Sequence, residues 1–208
     1  CELYTIDSLL SQNSLEGKFL DHSTWDKIDA EGNIYCATYD AGVISSRTTI
    51  IRLSNHKFLV YSPGADLVKS ALQINEKDAS VMLLAPCNTH IQGTMSWLET
   101  FPNATVIASD IVKKRILAKT TLVEVLGISY LSQQIPSSVS LHKLPNCRFG
   151  EVWVSIDSGA KVYWIVGDSI MNVEAGDNSI WDWLKFNIYR VGPSLEVTRI
   201  FRFFGISN

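Results

Sequence analysis

At 208 residues, 46% of them apolar, the chain is long enough for one sizeable core and has the make-up of an ordinary globular protein. Its 18 lysines and arginines against 21 aspartates and glutamates give a formal net charge of −3, which leaves no broad basic footprint for nucleic acid, and no apolar run of about 18 residues is present to span a bilayer. The four cysteines, Cys1, Cys36, Cys87 and Cys147, lack the close pairing of a zinc ribbon or a disulfide scaffold, so reduced thiols in a cytoplasmic protein are expected.

Cys1 fits a processed start, and a lipid-modified cysteine left by a removed signal peptide would read the same. Residues 1–33 are polar with isolated apolar anchors, Leu20, Trp25 and Ile28, and read as an extended lead-in. Strand patterns follow at 34–39, 48–53 and 58–61, the last two joined by the turn formers Ser54, Asn55, His56 and Lys57. His56 is expected to be an exposed turn residue without a role. After Pro63 and Gly64, Asp66 can cap a helix running to Asn75, with Leu67, Ala71, Leu72 and Ile74 inward.

The stretch 81–109 has the clearest succession of signals. Five apolar residues, 81–85, read as a strand buried on both faces, and Pro86 stops it because it has no N–H for the ladder. A polar loop, 87–93, carries His90 at its centre. Met95, Leu98 and Phe101 then have the spacing of a short helix, which Pro102 closes before a β run at 105–108. Open α/β sheets place ligands at the carboxyl ends of their strands, so His90 is the first functional candidate.

Beyond Asp110 a helix is expected with Ile111, Val112, Ile116 and Leu117 on one side and Lys113, Lys114 and Arg115 outward as a solvated face. Residues 121–134 stay open between helix and strand. Strands return at 139–144, 151–156 and 162–166, the last two joined by Asp157, Ser158, Gly159 and Ala160, and Gly167-Asp168 ends the series. The tail holds a tryptophan-rich helix candidate at 180–187. Its Trp181 and Trp183, with Trp97, are either core or the lining of a pocket. An alternating apolar and basic stretch, 197–203, leads to an aromatic end, Phe201, Phe203 and Phe204, which needs a cover: self-association or a protein partner. Asn103-Ala104-Thr105 matches a glycosylation acceptor and is read as coincidence. There is no internal repeat. Strands in two groups, each followed by helices, describe a single α/β domain over 1–208, a sandwich of two mixed sheets flanked by helices.

A strand ending in a loop histidine, a Pro145-Asn146-Cys147 turn before a hairpin, and a strand ending in Gly167-Asp168, in that order, resemble the metallo-β-lactamase fold superfamily over residues 48–172. The Leu-Val-Tyr-Ser-Pro segment at 59–63, the helix end at 97–102 and Gly150-Glu151 are similar to a poorly characterised branch whose members commonly lack the full ligand set. The resemblance implies a metallo-β-lactamase-like αββα sandwich. It also sets His90 on the first histidine of the family's His-x-His-x-Asp-His loop, with Gln92, Thr94 and Met95 at the next three ligand positions. Cys147 stands at the histidine of the Pro-Gly-His turn, Asp168 at the bridging aspartate, and the family's C-terminal helix and final histidine have no counterpart.

A two-metal hydrolytic site holds its ions roughly 3.5–4 Å apart between bridging ligands, and here a second ion would have Asp168 alone. The resemblance therefore implies at most a mononuclear site: His90, Cys147 and Asp168 as ligands of zinc or another divalent transition metal, with Gln92 or water as the fourth. His90 and Asp168 would be its catalytic residues, and the bound water its nucleophile. The alternative without metal has His90 bonded to its loop, Cys147 as a small buried apolar residue and Asp168 holding its turn. Cys87, three residues before His90, offers a Cys–His nucleophilic pair with no orienting partner identified. The expected function is a hydrolase of a small-molecule ester, thioester or lactone; the alternative is a non-catalytic binding or scaffolding protein that keeps the fold.

Overall fold

The computed structural model describes residues 24–40, 45–74, 79–121, 124–172 and 195–197. Six strands build the first sheet in sequential order: β1 Asp26–Lys27, β2 Ile34–Asp40, β3 Ser45–Ser54, β4 Lys57–Tyr61, β5 Ser80–Ala85 and β6 Thr105–Ala108. Neighbours from β1 to β4, separated by few residues, pair antiparallel, whereas the longer connections leading to β5 and β6 return the chain parallel. The β5 run is buried along Val81–Ala85, as an apolar run without alternation implies. Its Val81, Leu83 and Ala85 join one core cluster and its Met82 and Leu84 the other, the period of two expected of a strand.

One face of this sheet is covered by helical segments. Helix α1, Thr94–Thr100, presents Trp97, and α2, Asp110–Lys119, presents Val112 and Ile116, one turn apart. Ile111 and Leu117, expected inward, are 46% and 38% exposed, because the buried stripe of α2 is only that one i, i+4 pair wide. The helix expected over 66–75 is instead two 3-10 stretches, Ala65–Leu67 and Lys69–Ile74. Leu67 N–H reaches back to Gly64 O and Ala71 N–H to Val68 O, three residues each, while the Ser70 hydroxyl bonds Leu67 O and receives Trp25 Nε1–H. Trp97, a candidate pocket residue, is fully buried and donates its indole N–H to Gly64 O at 2.8 Å.

The other face meets a second sheet of β7 Val139–Lys143, β8 Val152–Asp157 and β9 Val162–Ile165, all antiparallel. Val139, Val152, Val154 and Ile156 pack on Ile34, Ile51, Leu59, Tyr61 and Ile107 of the first sheet. The ambiguous stretch 121–134 resolves into a bridge of Leu126 to Ile107 and helix α3, Ile128–Gln134, whose Ile128 and Leu131 close this core. β10 Ile170–Asn172 and β11 Leu195–Val197 pair as an antiparallel ribbon. Helix, mixed sheet and antiparallel sheet thus lie in layers, the α/β sandwich expected from the sequence. Part of the expected lead-in is ordered: β1 pairs with β2, Trp25 is buried, and the Asp29 carboxylate accepts the N–H groups of Asn33 and Ile34. The helix candidate at 180–187 with Trp181 and Trp183, the aromatic end from 198, and residues 1–23 with Cys1 and Leu20 lie outside the described residues. Among the described residues no helix is long and apolar enough to cross a membrane.

Candidate functional site

Strand ends from both sheets meet at one rim. β4 ends at Tyr61 and is followed by Ser62, held at φ 56°, and β5 runs through Ala85 and Pro86 into Cys87. The second sheet is pinned to this rim by Val152 N–H donating to Pro86 O at 2.9 Å and Tyr61 Oη–H donating to Val152 O at 3.0 Å. The loop after β9 brings Asp168 to the same place. Within the loop 87–93, His90 N–H turns back to Cys87 O, and Asn88 N–H bonds Phe149 O in the facing turn.

His90 is engaged on both ring nitrogens. Nδ1 lies 2.6 Å from Ser62 Oγ and 3.2 Å from Tyr39 Oη, and Nε2 lies 2.6 Å from Asp168 Oδ1. The other carboxylate oxygen accepts the Thr89 hydroxyl and, at 3.7 Å, the Cys87 thiol. One donor atom from each of Cys87, His90 and Asp168 lies within 4.8 Å of the others. The His90 side chain is 11% exposed and that of Asp168 37%, so the cluster opens to solvent on the carboxylate side.

The surroundings tune these groups in opposite directions. Burial pulls Asp168 upward, but the hydrogen bond and charge of His90, with the Thr89 and Cys87 donors, outweigh it and hold the carboxyl below its ordinary value. Burial pushes the Cys87 thiol up to about 12, the Asp168 charge adding to it and Thr89 opposing. Behind the cluster the Glu151 carboxylate is buried and raised by desolvation, against the donors Ser169 and Trp153.

The structure brings His90 and Asp168 together and leaves Cys147 out of the group. Asn146 at φ 54° and Gly150 at φ 67° curl the turn back on itself, with Gly150 N–H on Cys147 O. The Cys147 sulfur is thereby aimed at its own turn, where it accepts Glu151 N–H at 3.5 Å. The thiol in the cluster is that of Cys87. Gln92 is exposed, and Thr94 is buried with its hydroxyl unbonded, while His56 is an exposed turn residue. Ser62, Tyr39, Thr89 and Glu151 were not anticipated as site residues; the sequence signals for Ser62 and Glu151 were their places in the Leu-Val-Tyr-Ser-Pro and Gly150-Glu151 segments, which were read for fold resemblance and not for a role.

A thiol, an imidazole and a carboxylate are the donor types of a three-ligand zinc site that keeps a position open. An acceptor for Nδ1–H, which Ser62 Oγ and Tyr39 Oη can each be, is what such a site needs to leave Nε2 for an ion. The residues present therefore fit a divalent transition metal held by Cys87, His90 and Asp168.

No protein-family model matches the sequence, and no curated protein matches it either. Among solved structures the chain is similar to the metal-soaked Flv1 flavodiiron core from Synechocystis sp. PCC6803, with 12% identity and a TM-score of 0.46 over 79% of this chain. It spans only 47% of that protein's length. It is also similar to a fragment of diflavin flavoprotein A 5 from Nostoc sp. PCC 7120, with 15% identity and a TM-score of 0.44 over 78% of this chain and 73% of that one.

Proposed function

We propose that the protein is a metallo-β-lactamase-like hydrolase with an altered, mononuclear metal site, in which Cys87, His90 and Asp168 hold zinc or a similar divalent cation. The observation that carries the reading is the convergence of those three donor types, from two sheets, within 4.8 Å at a common rim. When bound, the ion would supply a Lewis acid and a water acidified to a pKa of about 7. The chain's own residues do the rest: Ser62 and Tyr39 hold His90 by its Nδ1, and Thr89 holds one oxygen of Asp168. Asp168, the most exposed of the three donors, is placed to receive a proton from an attacking water. The substrate class, a small ester, thioester or lactone, comes from the family resemblance. A cysteine ligand calls for a compartment in which thiols stay reduced, which in this reading is the cytoplasm.

A second reading is favoured by one feature. Asp168 is already met by His90, the Thr89 hydroxyl and the Cys87 thiol, so the cluster is satisfied without an ion and serves a binding or scaffolding protein that keeps the fold alone. Elemental analysis of protein purified without added metal separates the two. Stoichiometric zinc, iron or manganese that disappears in Cys87→Ser, His90→Ala and Asp168→Ala supports the metal site, and an esterase and lactonase screen of the loaded protein then tests hydrolysis. A metal-free wild type that takes up no zinc on titration would sink the enzyme reading.

A further inference from the structure

Glu151 stands outside the donor cluster, yet its carboxylate is almost sealed from solvent at 1% exposed. A buried carboxylate is costly unless its oxygens are fully used. Here Oε1 accepts Trp153 Nε1–H at 2.6 Å, Gly167 N–H at 3.2 Å and the Ser169 hydroxyl, and Oε2 accepts Ser169 N–H at 3.1 Å. Apart from Trp153, every one of these donors belongs to a residue adjoining Asp168. The fit is close: a Cβ added at Gly167 would meet the carboxyl carbon at 3.0 Å. The backbone of Glu151 anchors the facing turn, with its N–H on Cys147 Sγ and its carbonyl accepting Leu144 N–H at 3.2 Å. The next residue, Val152, donates to Pro86 O, one position before Cys87. Glu151 is therefore where the segments delivering Cys87 and Asp168 are joined.

We infer that Glu151 is the positioning residue of this site: its carboxylate fixes the 167–169 turn so that Asp168 turns one oxygen to His90 and the other to Thr89 and Cys87. A pin for a hairpin end needs only neutral partners. A buried carboxyl group whose two oxygens together receive four donors, three of them from the residues on either side of Asp168, is explained by a demand for orientation.

The inference deepens the metal-site reading but stands on the His90–Asp168 contact, so two measurements keep their failures apart. The first uses metal-free, 15N-labelled protein. The ring N–H proton shared between His90 Nε2 and Asp168 is expected far downfield in the wild type and absent in Asp168→Asn. In Glu151→Gln it is expected to move upfield or broaden, and in Ser169→Ala, which removes one donor only, to change in the same sense by less. The second is titration with cobalt(II) alone, read from the thiolate-to-cobalt charge-transfer band: Glu151→Gln is expected to bind about 10–100-fold more weakly than wild type with an altered band. A wild type that takes no cobalt overturns the metal site while the ring-proton result still decides Glu151. A wild-type ring proton that is not downfield, or one that Glu151→Gln leaves in place even as the melting temperature falls, overturns the inference and leaves Glu151 a structural pin.

Discussion

His90 can serve as a ligand only through a nitrogen that carries no proton, and what its other nitrogen meets decides which one that is. Ser62 Oγ, 2.6 Å from Nδ1 and itself buried, is placed to fix that choice, with Tyr39 behind it. Ser62→Ala is expected to weaken zinc binding about 10–100-fold, measured by competition with a chromophoric chelator. It should also cost about 0.5–1.5 kcal/mol in urea denaturation, because the ring nitrogen keeps Tyr39 Oη but loses the nearer of its two partners. Cys87 sets a pH dependence of opposite sign to that of Asp168. In the metal-free protein its folded value of about 12 exceeds that of an unfolded thiol, about 8.5, so the stability it contributes is complete below about 8.5 and is lost as pH rises toward 12. Denaturation followed from pH 8 upward should show a shallower decline in Cys87→Ser, with a remaining slope from Cys36 and Tyr61, which burial also raises. Asp168 is depressed, so its contribution is present above the ordinary carboxylate range and lost as pH falls through its lower folded value. Asp168→Asn should flatten that acid limb.

The site depends on two crossovers touching backbone to backbone. A Cβ at Gly93, just before α1, would lie 1.9 Å from Pro63 O and 2.8 Å from Ala65 N, so the chain after β5 rests directly on the chain after β4. That contact is what sets Ser62 beside His90. Gly93→Ala forces backbone to move and is expected to destabilise by about 3 kcal/mol or more in urea denaturation, and to weaken metal binding with it. An unchanged denaturation midpoint would show that the two crossovers can slide apart freely. The same local detail explains where the expected elements changed. The helix pattern at 66–75 was a fair reading of spacing, but three-residue hydrogen bonds and the Ser70 link to Trp25 tighten it into 3-10 turns. The α2 pattern was right in period and too wide in its buried face.

At the scale of the molecule the two larger sheets share one core, and a side-chain tie between them at the site end is Tyr61 Oη–H to Val152 O. Tyr61→Phe keeps the ring and leaves that carbonyl without its phenol donor, which should cost about 1–3 kcal/mol. Leu84→Ala, which opens a cavity between the sheets, should cost about 2–5 kcal/mol by the same urea measurement. If the tyrosine variant proved the more costly of the two, the sheets would be held by the tie and not by packing.

Strands, turns and the sandwich were readable from the chain because their signals are local: an apolar run, a proline that ends it, a Gly-Asp after the last strand. That His90 and Asp168 lie at one rim was readable for the same reason, since each sits just beyond a strand end where such a sheet gathers its loops. Which thiol lies beside them was not. Whether Cys87 or Cys147 faces the cluster depends on how a turn with two residues at positive φ curls, and on backbone bonds such as Val152 N–H to Pro86 O between segments distant in sequence. Side-chain direction at that rim, and the partnerships of Ser62 and Glu151 that follow from it, exist only once the two sheets have packed, because no periodicity in a single strand encodes the register between them.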